Sequence, residues 1–436
     1  MTRTLIRGGR VIDPSQGIDE RLDLMIEGER ILAMAGNLDA SDAEIINAAG
    51  LVVAPGFVDL HTHLREPGQE HKETIHTGAE AAARGGFTTI CAMPNTEPAL
   101  DSAAVIAGMV ERARDAAVRV LPIGAVTVGR RGRELTEMAA LRDAGAVAVS
   151  DDGDVVADAA VARRAFEYLA DLDIPLAEHC EDPALAGGGV MHEGVVSTRL
   201  GLRGQPAAAE SSIVQRDIAL AEAAGAQLHC CHLSTEASLS AVADAKARGV
   251  RVTAEVTPHH LLLDHSAVAG PGPALAYDTA AKVNPPLRTE ADARACVDAL
   301  VAGVVDAVAT DHAPHAAADK DCEFDAAAFG ISGLESAWPV VNTLVQQGSL
   351  SLIEAIERLT VGPVKAWGLN LRIPGLGTLR NQALADITLL STDTVTRIDS
   401  QSWASMGKNT PFNGHSLSGV VALTISRGRI VWDGRE

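Results

Sequence analysis

The sequence predicts an α/β protein: a (β/α)₈ barrel of the TIM type with a small composite β-sandwich domain formed by the two chain ends. Three observations lead there. Apolar runs alternate with helix-patterned segments through the middle of the chain. These runs number eight. Both ends of the chain are β-rich and lack the alternation.

The eight runs are "GFVDLHTH", "FTTICAMPN", "VRVLPIGAVT", "AVAVSDDG", "IPLAEHCED", "AQLHCCHLS", "VRVTAEVTPHH" and "VDAVATDHAPH". Short apolar runs of this kind suit strands covered on both faces, as in a parallel sheet. Between them, "DAAVARRAFEYLADLD" and "ESSIVQRDIALAEAAGA" space apolar residues three and four apart, which builds one face of a helix. The link after "CAMPN" is also helical, while the one before "AVAVSDDG" is short. Strand–helix alternation gives a parallel sheet, and eight units close it into a barrel. An open doubly wound sheet is the weaker reading, because no GxGxxG turn follows the first strand.

The barrel is expected over residues 55–369, and the composite domain over 1–54 and 370–436. "RTLIRGGRVID", "LDLMIEGERILAMAG" and "AEIINAAGLVVAPG" at one end are β-branched runs punctuated by glycine. "ADITLLS" and "GVVALTISRGRIVWDG" repeat the pattern at the other end.

Composition narrows the function. A chain of 436 residues, 47% hydrophobic, is long enough for one large domain and a smaller one. A net charge of −21 argues against non-specific nucleic-acid binding, which needs a basic footprint, and against an anionic membrane surface. The six cysteines show no CxxC motif and no paired framework, as expected of a reduced, cytoplasmic protein. "MTRTLIRGGRVIDPS" lacks the apolar core of a signal peptide, and no stretch is apolar enough to span a bilayer.

Most of the runs begin apolar and finish on His, Asp or Asn. In a barrel those ends share the C-terminal face, where barrel enzymes keep their active sites. His61 and His63 close the first strand and, two apart, share one face. The fourth run ends in Asp151 and Asp152, the fifth in His179, the sixth in His232 and the eighth in Asp311. Four imidazoles and two or three carboxylates on one rim suit Zn²⁺ or a similar divalent ion. A single strand-end histidine reads as an ordinary hydrogen-bonded group; several, from different strands, carry the metal reading. His229 is expected to face away from His232, Cys230 and Cys231 to be small packing groups, and His259 and His260 not to be ligands. Arg65, on the same strand edge as the histidine pair, offers a planar fork for a carboxylate. Asn95, ending the second run, can donate from its amide. The segment Ala313–Phe329, "APHAAADKDCEFDAAAF", has no clear periodicity and follows a strand end; a water-excluding lid is expected there.

These residues also carry a resemblance. "HLREPG", "AMPNT", "DDG", "AEHCED", "CCHLST", "EVTPHHLLL", "KVNPPLR" and "ATDHAPH" occur in order, with "GKNTPFNG" near the C-terminus. Together they resemble the amidohydrolase superfamily and, within it, cyclic amidohydrolases of the class I bacterial dihydroorotase type. The resemblance covers essentially the whole chain. It implies reversible interconversion of N-carbamoyl-L-aspartate and L-dihydroorotate, with one or two Zn²⁺ per chain. His61, His63 and Asp311 would hold one ion, His179 and His232 a second, and Asp152 would bridge or support both. Asp311 would also shuttle the proton. Substrate contacts would come from His63, Arg65, Asn95, Asn284, His315 and the Phe329–Gly330 backbone. Dihydropyrimidinases and allantoinases usually carry a carboxylated lysine on the fourth strand; "AVAVSDDG" has none, and a short aspartate there bears on whether the second ion is held. A homodimer is the expected assembly, and a complex with aspartate transcarbamoylase is open to such a chain. The alternatives are a hydantoinase- or allantoinase-like enzyme and a non-catalytic structural partner of aspartate transcarbamoylase; the complete ligand set argues against the latter.

Overall fold

Phe57–Thr62, Phe87–Ala92 and Arg119–Pro122 pair in parallel as three neighbouring strands. Leu176–Glu178, Leu228–Cys230, Val252–Val256 and Ala307–Val308 pair in parallel as four. The structure is a computed structural model and describes residues 3–270 and 276–435. Single parallel bridges join the two sets: Gly124 to Val149, Val149 to Leu176 and, at the other seam, Thr62 to His312. The circuit therefore closes after eight strands, as the eight runs predict.

The fourth strand is the least regular, with Val149 as its pairing residue. Immediately after it, the Asp151 carboxylate accepts the backbone N–H groups of Val126 (2.9 Å) and Thr127 (3.0 Å). A side chain there takes the place of the strand ladder, and the chain turns.

Every residue of Phe57–Thr62 and Phe87–Ala92 is buried. Parallel strands are covered by barrel side chains inside and by helices outside. The helices begin where the sequence caps them. The Thr74 hydroxyl oxygen accepts from the Thr77 N–H, and the Thr74 N–H donates to the Thr77 hydroxyl oxygen, at the start of Ile75–Arg84; Asp158 caps Ala159–Leu169. Ala208–Ala224 buries Ile213, Val214, Ile218 and Ala221, and stops at Gly225, whose φ of 68° suits glycine.

The two chain ends meet in one eight-stranded sheet. Val52–Pro55 pairs with Arg3–Asp13 on one side and, antiparallel, with the start of Ile387–Arg397 on the other. Ile6, Val11, Val53, Ile387, Leu389 and Leu423 share one apolar core beneath the join. Among the described residues, no helix is long and apolar enough to cross a membrane.

Candidate metal centre and substrate cavity

The strand ends converge as the barrel geometry requires. Asp59, inside the first strand, accepts the N–H of Thr310 (3.0 Å), the hydroxyl of Thr310 (2.5 Å) and the N–H of His61 (3.1 Å). This latch sets the first strand against the eighth, two residues below His61 and one before Asp311. Burial pushes the Asp59 carboxyl up to about 7.

Asp152 is the hub. Its oxygens lie 3.3 Å from His61 Nε2, 3.4 Å from His63 Nε2, 3.6 Å from His179 Nδ1 and 3.5 Å from His232 Nε2. Asp311 Oδ1 lies 3.1 Å from His63 Nε2 and 3.5 Å from His61 Nε2. His179 Nδ1 and His232 Nε2 are 3.0 Å apart. All six side chains are buried. Of the adjacent pair, Asp151 spends its carboxylate on Val126 and Thr127, so Asp152 is the one aimed at the cluster.

The donor set fits a divalent cation. His61 Nε2 and Asp152 Oδ1 are buried and have no hydrogen-bond partner among the described residues. Each such orphan costs about 1–3 kcal/mol unless something satisfies it. Ligand atoms of His61, His63 and Asp311 lie within 4.8 Å of one another, and so do those of His61, Asp152 and His232. Charge tells the same story. Burial works to raise Asp152 and Asp311, yet the surrounding imidazoles hold both carboxylates below their usual range. Burial likewise opposes a charge on His179, but Asp152 and Glu181 lift it to about 10. At Asp152, Asp311 and His179 the cluster favours positive charge, while burial lowers His63.

Three of the nine non-glycine residues with positive φ among the described residues belong to this site. Arg65, His232 and Asp311 have φ of 62°, 33° and 46°. Non-glycine residues in this region cost about 1–3 kcal/mol each and collect at functional sites.

A cavity of about 180 Å³ opens onto the cluster. Arg65, Asn95, Asn284, His315, Phe329 and Gly330 all line it, beside His63, Asp152, His179, His232 and Asp311. His61 lies behind the wall. Burial draws Arg65 down to about 10, which leaves it charged at neutral pH. Asn95 Oδ1 accepts from His63 Nδ1 (2.8 Å), which turns Nε2 toward Asp311. Asn284 Nδ2 lies 3.2 Å from His179 Nε2. His315 Nε2 donates to the Phe329 carbonyl (2.7 Å). At Gly330 (φ 144°) an added Cβ would stand 2.7 Å from the Ala313 carbonyl oxygen, so only backbone fits there.

The comparisons with known proteins agree with this geometry. A family model described as "Dihydro-orotase-like" matches residues 50–238. Over 434 residues the chain is 48% identical to the dihydroorotase of Pelotomaculum thermopropionicum, with 99% of each chain covered. The chain belongs to the dihydroorotase family. A second dihydroorotase, from Anaeromyxobacter sp. strain K, is 49% identical over 98% of this chain and 97% of its own. Among solved structures, the L-hydantoinase (dihydropyrimidinase) of Arthrobacter aurescens matches with a TM-score of 0.88 and 25% identity, covering 99% of this chain and 96% of that one. Dihydropyrimidinase from Brevibacillus agri matches with a TM-score of 0.86 and 25% identity, covering 100% and 96%. Family and superfamily are therefore those the motifs resemble.

Several residues of this dihydroorotase-family chain were invisible to strand-end reasoning. Asn409, in "GKNTPFNG", donates to the carbonyls of Ala313 and Gly330 (3.0 Å each) and accepts the His315 N–H (3.0 Å). It pins both ends of the expected lid. Lys320 donates to the carbonyls of Thr279, Lys282 and Ala328, and Lys282 to those of Phe324 and Asp325. The segment is thus a fastened strap containing the short helix Ala317–Lys320. No periodicity marks these residues; the motif strings held the only signal. Glu255 was also missed, although a lone charge inside the strand "VTAEV" was a usable signal, since buried parallel strands are otherwise apolar. His229 does not line the cavity, unlike His232, and bonds to Glu255 (3.0 Å). His259 and His260 are buried and do not line the cavity.

Proposed function

We propose that the chain catalyses the reversible cyclisation of N-carbamoyl-L-aspartate to L-dihydroorotate with loss of water, in pyrimidine biosynthesis. One observation carries this reading beyond family membership: a buried imidazole–carboxylate cluster shares its cavity with the guanidinium of Arg65. The cluster suits amide chemistry, and the guanidinium suits a substrate that keeps a free carboxylate.

His61, His63 and Asp311 would hold one Zn²⁺ and His179 and His232 a second, with Asp152 between them. Such an ion polarises a carbonyl and acidifies water when bound. The protein's own groups do the rest. Asp311, held as a carboxylate by the neighbouring imidazoles, accepts a proton from the attacking water in ring opening and returns it to the leaving ring nitrogen. In ring closure the C–N bond forms, the C–O bond breaks, and the proton moves the other way. Arg65 binds the substrate carboxylate; Asn95 and His315 assist it, Asn284 contacts the ring, and the Phe329–Gly330 backbone closes the far wall. The strap Ala313–Phe329 serves as the lid.

The eight-stranded sheet supports a composite β-sandwich domain of residues 1–54 and 370–436 beside a barrel of 55–369. The first two residues and the last lie outside the described ones. The family reading extends to a cytoplasmic homodimer and to docking with aspartate transcarbamoylase, which mass measurement of the chain alone and mixed with that partner would test.

The structural likeness to hydantoinases and dihydropyrimidinases supports a second reading, a cyclic amidohydrolase of uncharged rings. Arg65 weighs against it, because hydantoin and dihydrouracil carry no carboxylate. Assay of the protein on dihydroorotate, dihydrouracil and hydantoin separates the two. Preference for dihydroorotate is expected; preference for a ring without a carboxylate would replace the proposal with the second reading.

A further inference from the structure

Below the cavity floor, a second layer of buried polar groups backs His61. This ring turns Nε2 toward Asp152 and Asp311, so Nδ1 is left for another partner. That partner is Glu255 Oε1, at 2.7 Å. The other oxygen of Glu255 lies 3.0 Å from His229 Nε2, and His229 Nδ1 lies 2.8 Å from Thr253 Oγ1. Trp367 stands edge-on to the His229 ring, centroids 5.3 Å apart. His61, His229 and Glu255 are fully buried. They come from three strands: Phe57–Thr62, Leu228–Cys230 and Val252–Val256. Neither Glu255 nor His229 lines the cavity, so neither touches substrate.

We infer that Glu255, steadied by His229, is a positioning residue for the metal centre: it fixes the proton of His61 on Nδ1 and leaves the Nε2 lone pair aimed at the ion. A neutral imidazole has one N–H and one lone pair, and the partner at one nitrogen decides which is which. A carboxylate at Nδ1 demands the N–H there and makes Nε2 a stronger donor. Packing alone does not account for this choice. Barrel interiors are filled by branched aliphatic side chains, and a buried carboxylate costs free energy that an aliphatic group would not. Glu255 has both oxygens engaged, so it cannot swing away from His61 without breaking its bond to His229.

This inference rests on the metal reading, and its test separates the two. Wild-type, Glu255→Gln and His229→Gln proteins would be stripped of metal. Zn²⁺ affinity would then be measured by competition with a chromophoric chelator, Co²⁺ binding by its absorption spectrum, and folding by thermal melting of the stripped chains. Glu255→Gln is expected to weaken the tightest Zn²⁺ by about 10–100-fold and to alter the Co²⁺ spectrum, while the stripped chains melt at similar temperatures. His229→Gln should shift both readouts the same way and by less. Unchanged affinity and an unchanged spectrum in Glu255→Gln would overturn the inference. Should Glu255→Gln fail to fold, an unchanged His229→Gln would do so. A wild-type chain that binds no Zn²⁺ would remove the metal reading itself.

Discussion

His61 and His179 flank the same carboxylate, Asp152, yet they are supported in opposite ways. Behind His61, Glu255 lies 2.7 Å away in a fully buried layer shared by three barrel strands. Behind His179, Asn284 lies 3.2 Å away and Glu181 3.8 Å away, and the Glu181 side chain is 22% exposed. His179 and Asn284 line the cavity, whereas His61 does not. The half of the cluster that holds His61 is backed from the barrel interior, whereas the half that holds His179 is backed by groups at the cavity. Preorganised ligands bind a metal more tightly than ligands that must first be ordered. The first half should therefore hold its ion more firmly, and the second should respond to substrate.

The largest expected effect comes from the firm half. Asp311→Asn keeps the shape and removes the proton acceptor. Turnover of dihydroorotate should fall by about 10²–10⁴-fold, the usual worth of a positioned acid–base group, with the melting curve little changed. A variant with wild-type kcat would take Asp311 out of proton transfer. Next, the two halves can be set against each other. After exhaustive dialysis, metal analysis should find His61→Ala depleted of its tightest ion, while His179→Ala retains one. Equal retention by both would erase the asymmetry.

Arg65→Met probes the cavity wall beside the cluster. A charge-assisted hydrogen bond contributes about 1.5–3 kcal/mol, so KM for dihydroorotate should rise roughly 10–100-fold, with a smaller change in kcat. The smallest effect concerns the soft half. Glu210 accepts the N–H groups of Ser234 and Thr235, just beyond His232. Burial works to raise this carboxyl, but Arg288 and the Ser234 bonds lower it below its ordinary 4.5. A lowered carboxyl contributes stability that is present above the unfolded value and is lost as pH falls through the folded one. Glu210→Gln should thus destabilise most near neutral pH, and its difference from wild type should shrink in acid. A difference that grows in acid would reverse the sign and contradict the assignment.

The sequence made the barrel and the rim legible for a physical reason. Strand ends in a closed parallel barrel must converge, so His61, His63, His179, His232 and Asp311 could be grouped without coordinates. Asp151 and Asp152 could not be told apart that way. They are neighbours on a turn, and only the bonds from Val126 and Thr127 to Asp151 show which carboxylate is spent. Asn409 lies 94 residues beyond His315, and nothing local in the chain announces a contact at that range. Glu255 was legible in principle, as a charge where strand burial calls for an aliphatic residue.

The central claim is that this cluster, through a bound metal, opens and closes the dihydroorotate ring. The most direct test is turnover of dihydroorotate by metal-stripped protein while Zn²⁺ is titrated back and counted. The account predicts no turnover in the stripped protein and recovery that rises with the first tightly bound equivalent. Full turnover in protein shown to be free of metal would contradict it.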